Sequence, residues 1–192
     1  MRSDLTSTNR LFVALLRGIN VGGKNMVRMS SLKESFERMG FAGVVTYINS
    51  GNVIFKAREG DARRLESSVE EMLAREYGLE CRVVVRSFSE LAALVKRLPE
   101  NWDGDPDWKY NVIFLRHSID SENILDDLKP ESDCEEVLYL PGTLLWSARV
   151  RDLGRASFAK LPGRKIFQEM TVRNTNTTRK LYELMQRIGA GE

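Results

Sequence analysis

Apolar residues fall along this chain in short runs, some continuous and some at helical spacing. Residues 11–16 are apolar throughout and Gly18 follows, the pattern of a strand buried on both faces. After a polar, Gly-rich stretch, Leu32, Phe36 and Met39 share one helical face and Gly40 is placed to end it. Ser31 and Glu34 have capping-box spacing, which predicts a helix start near Leu32. Residues 44–48 and 53–57 are β-rich runs joined by Asn49, Ser50, Gly51 and Asn52, residues suited to a tight hairpin. Leu65, Val69, Met72 and Leu73 predict a second helix, capped by Asp61 and ended at Gly78. A strand at 81–86 follows, then a Ser87/Glu90 capping box for a helix with Leu91, Leu94, Val95 and Leu98 that Pro99 stops. The order through residue 86 is βαββαβ, the plan of a ferredoxin-like sandwich.

Residues 99–109 are polar and rich in turn formers, and read as a linker that Trp102 and Trp108 pin to the body. The pattern then recurs. A strand at 110–115, a helix near 121–128 and strands at 136–140 and 144–148 are followed by helical segments around 153–161 and 177–188. The expected fold is α+β: two tandem ferredoxin-like βαββ-type units packed into one compact body. Residues 1–10 form a flexible tail, 11–98 the first unit, 99–109 the linker and 110–192 the second unit with its C-terminal helix. No sequence repeat links the halves.

Composition narrows the class. Of 192 residues 42% are hydrophobic and 29% charged, as in a soluble globular protein and unlike a disordered chain. No apolar run nears the roughly 20 residues of a membrane span. The polar N-terminus predicts no signal peptide, so a cytoplasmic setting with reduced Cys81 and Cys134 is expected. A formal charge of +2 excludes a strongly polycationic nucleic-acid binder but not a local patch. Residues 100–136 hold twelve acidic and three basic side chains, whereas 149–187 hold ten basic and three acidic. Two solvated faces explain this; so does a basic C-terminal stretch that helps hold an anion.

Three stretches carry candidate chemistry. Gly18, Gly23 and Lys24 match the front of a phosphate-binding P-loop, but Asn25 replaces the metal-binding hydroxyl and the predicted helix starts too late to complete the cradle. A looser anion site remains, with charge from Arg17 and Lys24 and backbone access at Gly22 and Gly23; the alternative is a basic turn. The hairpin Asn49-Ser50-Gly51-Asn52 should neighbour that loop, because both lie at the top of a βαββαβ sheet. In the third stretch, Asn174 and Thr177 suit helix capping, yet Arg173 and Lys180 oppose the dipole at a helix N-terminus, a misfit that a bound anion would offset.

Other templates fail. His117 is the single histidine and neither cysteine has zinc-ligand spacing, so no metal site and no cofactor are expected. Asp103, Asp105 and Asp107 mimic a calcium loop, but Trp108 stands at its glycine and Phe114 at its closing glutamate. His117 reads as an ordinary polar residue at a strand end.

The stretches ALLRGINVGGKN (14–25), TYINSGNVIF (46–55) and TVRNTNTTRKL (171–181), in that order, identify a resemblance. The chain resembles the bacterial domain-of-unknown-function family 1697 over residues 11–188. The resemblance implies paired ferredoxin-like units and important motif residues, but no reaction. Thr175 departs from it, since an aromatic residue more often follows the Arg-Asn pair there.

The first functional expectation is a module for a small anionic, phosphorylated ligand. Arg17, Lys24, Arg173 and Lys180 would neutralise it, and Asn20, Asn25, Asn49, Ser50, Asn52, Asn174 and Thr177 would orient it. Replacing Arg173 or Lys24 by Ala should then weaken binding without lowering the melting temperature. The second is an enzyme of unknown chemistry in the same cleft, with catalytic residues unassigned. Single-stranded RNA binding on an exposed sheet face ranks last, for want of paired exposed aromatics. No membrane partner is expected, and oligomeric state is open.

Overall fold

The computed structural model describes residues 9–191 apart from 101, 103 and 132. Most of the expected tail, part of the expected linker and Asp103 therefore lie outside the described residues. The first half is built on β1 (Arg10–Leu16), whose Phe12, Ala14 and Leu16 face one core while Val13 and Leu15 face another. Burial on both faces is why this strand reads as continuously apolar rather than alternating. It is followed by α1 (Met29–Arg38), β2 (Ala42–Tyr47), β3 (Asn52–Ala57), α2 (Ala62–Tyr77), β4 (Val83–Ser87) and α3 (Phe88–Val95). The sheet order is β2-β3-β1-β4, every neighbour antiparallel. Leu32 and Phe36 of α1, with Leu65, Val69 and Leu73 of α2, cover its outer face.

The second half contains β5 (Trp108–Leu115), α4 (Ile124–Leu128), β6 (Glu135–Leu140) and β7 (Thr143–Arg149). Two 3-10 turns follow (Val150–Asp152 and Ser157–Lys160), then α5 (Lys165–Gln168), β8 (Met170–Asn174) and α6 (Thr175–Ala190). Its sheet order is β6-β7-β5-β8, again antiparallel. Ile113, Leu115, Leu144 and Trp146 face an outer core, and Val112, Phe114 and Leu145 face inward. Between the sheets, Leu91 and Leu94 of α3 and Leu181 and Met185 of α6 join the inward residues in one shared core. Phe88 and Tyr182 stack at 5.7 Å where these two helices meet. The chain is a mixed α+β fold with two four-stranded antiparallel sheets. The inner strands of both sheets are packed on both sides. Among the described residues no helix is long and apolar enough to cross a membrane.

Several elements differ from expectation. Ser31 lies inside α1 and caps nothing, because the helix already begins at Met29, with Leu32 N–H bonded to Arg28 O at 3.0 Å. The segment at 153–161 is a 3-10 turn within an irregular path, with α5 only at 165–168. α3 ends at Val95, ahead of Pro99. Residues 170–174 form a strand: β8 pairs with β5 from Leu115↔Met170 to Asn111↔Asn174, although its Thr, Arg and Asn residues gave no apolar pattern.

The halves repeat in register. Leu16 N–H bonds Gly51 O at 2.8 Å, and Leu115 N–H bonds Gly142 O at 3.0 Å. Arg17 N–H bonds Arg82 O, and Arg116 N–H bonds Glu169 O. Leu16 pairs with Val83 as Leu115 pairs with Met170, so Arg86 and Arg173, three residues on, occupy equivalent places. These two buried arginines tie the halves reciprocally. Arg86 of the first half donates to Leu115 O and Gly142 O of the second (the latter at 2.9 Å). Arg173 of the second donates to Leu16 O (2.9 Å), Ser50 O (3.0 Å) and Gly51 O (3.2 Å) of the first.

Candidate functional site

The Gly-rich loop between β1 and α1 is held in a fixed shape by its own side chains. Gly18, Asn20, Gly22, Gly23 and Asn25 all have φ between +52° and +74°, a region that glycine and asparagine tolerate. Asn20 uses its whole amide on the fold: Nδ2 donates to Val27 O and Asn49 O, both at 2.9 Å, and Oδ1 accepts from Val27 N–H at 2.7 Å. The Asn20–Asn49 bond ties the loop to the β2–β3 hairpin. Gly51 at the end of that hairpin has no substitute, since a Cβ there would lie 2.8 Å from Ile19 and Leu16 side-chain atoms. Ser50 O and Gly51 O in turn accept from Arg173, at the end of β8 just before α6. Loop, hairpin and helix start therefore meet.

What they build differs from an anion cradle. Arg173 is 8% exposed, and all five of its N–H groups are occupied within the protein. Nε bonds Asn52 Oδ1 (2.5 Å), Nη1 bonds Thr171 Oγ1 and Val172 O, and Nη2 bonds the three first-half carbonyls. Burial pulls this guanidinium down to about 10, still charged at neutral pH. No donor remains for a ligand, so the expected dual role of Arg173, neutralising an anion without affecting stability, is corrected: carbonyl oxygens already balance its charge. Asn52 is likewise fully buried, with Nδ2 donating to Tyr47 O and Ser50 Oγ. Asn174 caps α6 by accepting from Thr177 N–H at 2.7 Å, Thr177 is buried, and Lys180 pairs with Glu183 at 3.0 Å. Thr175 is fully buried and its Oγ1 has no partner among the described residues, so its position faces the interior rather than a ligand. Lys24, Gly22, Gly23 and Asn49 are exposed on the loop and hairpin.

The open chemistry lies on the other side of the loop. A cleft of about 740 Å³ is lined by Arg17, Gly18, Asn25, Glu70, Glu71, Glu80 and Arg82 of the first half and by Arg164 and Phe167 of the second, so that three guanidiniums share it with three carboxylates. The Arg17 guanidinium lies 4.9 Å from the centre of the Phe167 ring, a cation–π contact that fixes its position. Its N–H groups have no acceptor among the described residues. Asn25 uses one N–H on Gly18 O at 3.1 Å. Cys81 also lines the cleft, but burial pushes its thiol up to about 11 and Sγ donates to Arg17 O at 3.0 Å, so it is no nucleophile at neutral pH. Glu70, on the α2 wall, accepts from Val83 N–H and is neutralised by Arg82 and Arg116 at 3.4 and 3.3 Å. Sequence reasoning missed Arg82, Arg164 and Phe167; the one signal toward Arg164 was the basic bias of residues 149–187. Among the described residues no cluster of His, Cys, Asp and Glu is arranged to hold a metal ion.

No curated protein matches the chain. It is similar over 93% of its length, at 25% identity and a TM-score of 0.80, to the solved structure of the conserved bacterial protein SP0830 from Streptococcus pneumoniae, 99% of which is covered. The model of the protein family of unknown function DUF1697 matches residues 10–146, the span that holds the Gly-rich loop and the hairpin. On that match the chain belongs to the DUF1697 family.

Proposed function

We propose that this protein binds a small anionic, phosphorylated ligand in the cleft beneath the Gly-rich loop. The observation that carries this reading is Arg17: a guanidinium held over Phe167, its donors without acceptors among the described residues, in a cleft whose Arg82 is already paired with Glu70 and Glu169. A positioned guanidinium recognises phosphate through paired, charge-assisted hydrogen bonds. Of the ligand-binding residues expected from sequence, Arg17 and Asn25 line this cleft, and Lys24, Gly22 and Gly23 stand on the same loop. Arg173, Asn20, Asn52 and Asn174 act by holding that loop, hairpin and helix in place. Strand order β2-β3-β1-β4, repeated as β6-β7-β5-β8, supports reading the halves as duplicated ferredoxin-like units. Both described cysteines are free and buried, which suits a cytoplasmic setting.

Native mass spectrometry of the purified protein tests this. The expected result is a small-molecule adduct of anionic character, lost on denaturation and absent from Arg17→Ala. An adduct retained in full by Arg17→Ala would contradict the cleft assignment.

A further inference from the structure

In the second half the place of Arg17 is taken by Arg116, and a pocket of about 520 Å³ opens beside it. Arg63, Glu66 and Ser67 of α2 form one wall, and Arg116, His117 and Ser118 after β5 form another. Arg116 bonds Glu169 through Nη1 at 3.0 Å and faces Glu70 through Nη2 at 3.3 Å. Its buried Nε has no hydrogen-bond partner among the described residues, and Glu66 Oε2 is 3.9 Å away. A buried N–H without an acceptor is costly, and the Glu66 carboxylate offsets its charge from 3.9 Å. His117, the chain's single histidine, turns Nδ1 toward the Glu66 carboxylate at 3.3 and 3.4 Å. Its Nε2 has no partner among the described residues. Glu66 is 2% exposed and fixed by Val85 N–H, which bonds Oε1 at 3.0 Å. A buried carboxylate on one ring nitrogen sets the orientation of the imidazole and leaves the other nitrogen to act. The charged lining of the pocket is Arg63, Arg82 and Arg116 against Glu66 and Glu169.

We infer that this pocket is a second oxyanion site, the internal counterpart of the Arg17 cleft, which takes a phosphate group, free or as a monoester, between Arg63, Arg116 and His117. Glu66 is its positioning residue. The inference does not depend on a ligand in the Arg17 cleft.

Because His117 stands alone in the sequence, its imidazole C–H signals in proton NMR report on this pocket directly. Inorganic phosphate and phenyl phosphate are titrated separately at fixed pH and ionic strength, with chloride as the control. The signals should shift saturably with at least one of the two, and the tighter of them names the source of the phosphate. Arg116→Gln, which removes a charge-assisted hydrogen bond, should raise the half-saturation concentration about tenfold or more. Arg63→Gln changes an exposed side chain without an ion pair among the described residues, and should raise it severalfold even if Arg116→Gln fails to fold. Arg17→Ala should leave it unchanged. Signals that stay in place up to about 20 mM of both anions, where a millimolar site is full, would overturn the inference. So would equal titrations in wild type and Arg63→Gln, or a shift that Arg17→Ala abolishes.

Discussion

A buried guanidinium with no carboxylate beside it must find oxygen elsewhere, and Arg173 finds it in the backbone. Its charge faces the carbonyls of Leu16, Ser50, Gly51 and Val172 together with Asn52 Oδ1 and Thr171 Oγ1. The misfit of a cation beside a helix start is visible in the sequence, but the oxygens that resolve it belong to the protein itself. Nothing in the sequence shows that β8 lies beside β5 and delivers this side chain to a turn more than a hundred residues earlier. Arg173→Ala strips partners from several buried oxygens, offset in part by removal of a buried charge. It should cost about 2–4 kcal/mol, or roughly 5–15 °C in melting temperature. Differential scanning calorimetry decides, and an unchanged melting temperature would contradict the clamp.

Two helix starts with the same sequence signature behave differently. Ser87 and Glu90 cap α3 reciprocally: Glu90 N–H bonds Ser87 Oγ at 3.3 Å and Ser87 N–H bonds Glu90 Oε2 at 2.7 Å. Ser31 and Glu34 have the same spacing, yet α1 begins two residues before Ser31. Spacing alone cannot fix where a chain enters its helix. Ser87→Ala should cost about 1 kcal/mol in a urea unfolding curve, whereas Ser31→Ala should change stability by less than about 0.5 kcal/mol. Equal effects would contradict this account of the two termini.

The irregular connection after β7 was poorly legible because it is held by one side chain rather than by a periodic face. Glu135, 4% exposed on β6, accepts from Glu131 N–H (2.8 Å), Ser157 N–H (2.7 Å) and Trp146 Nε1–H (2.6 Å). Burial alone would push this carboxyl up, but the donors together hold it below the usual glutamate range. A depressed folded-state pKa means stability that is present above the unfolded value of about 4.3 and lost as pH falls through the folded value. Glu135→Gln should therefore cost about 1–3 kcal/mol at pH 7 and flatten the acid side of the stability profile below about pH 4.5. Parallel wild-type and variant profiles in that range would rule this out.

At the scale of the molecule, two similar sheets share a central core of α3 and α6 and are locked by arginines pointing in opposite directions, Arg86 and Arg173. Apolar periodicity made nearly all of the strands legible, because β1, β3, β4, β5 and β7 are buried in continuous runs. β8 escaped, being polar and short. The cleft was half legible. Glycine, arginine and asparagine in one loop marked its rim, but its opposite wall comes from Arg164 and Phe167, placed there by packing between halves that share no visible repeat in sequence. Arg17 lies outside the clamp, so Arg17→Ala gives up a cation–π contact of about 0.5–1 kcal/mol and should leave the free protein's melting temperature within a few degrees of wild type.

The most direct test compares wild type and Arg17→Ala by thermal denaturation against phosphate, nucleotides and sugar phosphates at fixed ionic strength. At least one anion should raise the wild-type melting temperature in a saturable way, and Arg17→Ala should bind it roughly ten- to a hundredfold more weakly, the loss of one charged hydrogen bond. A panel in which no anion stabilises wild type, or in which Arg17→Ala responds identically, would contradict the account.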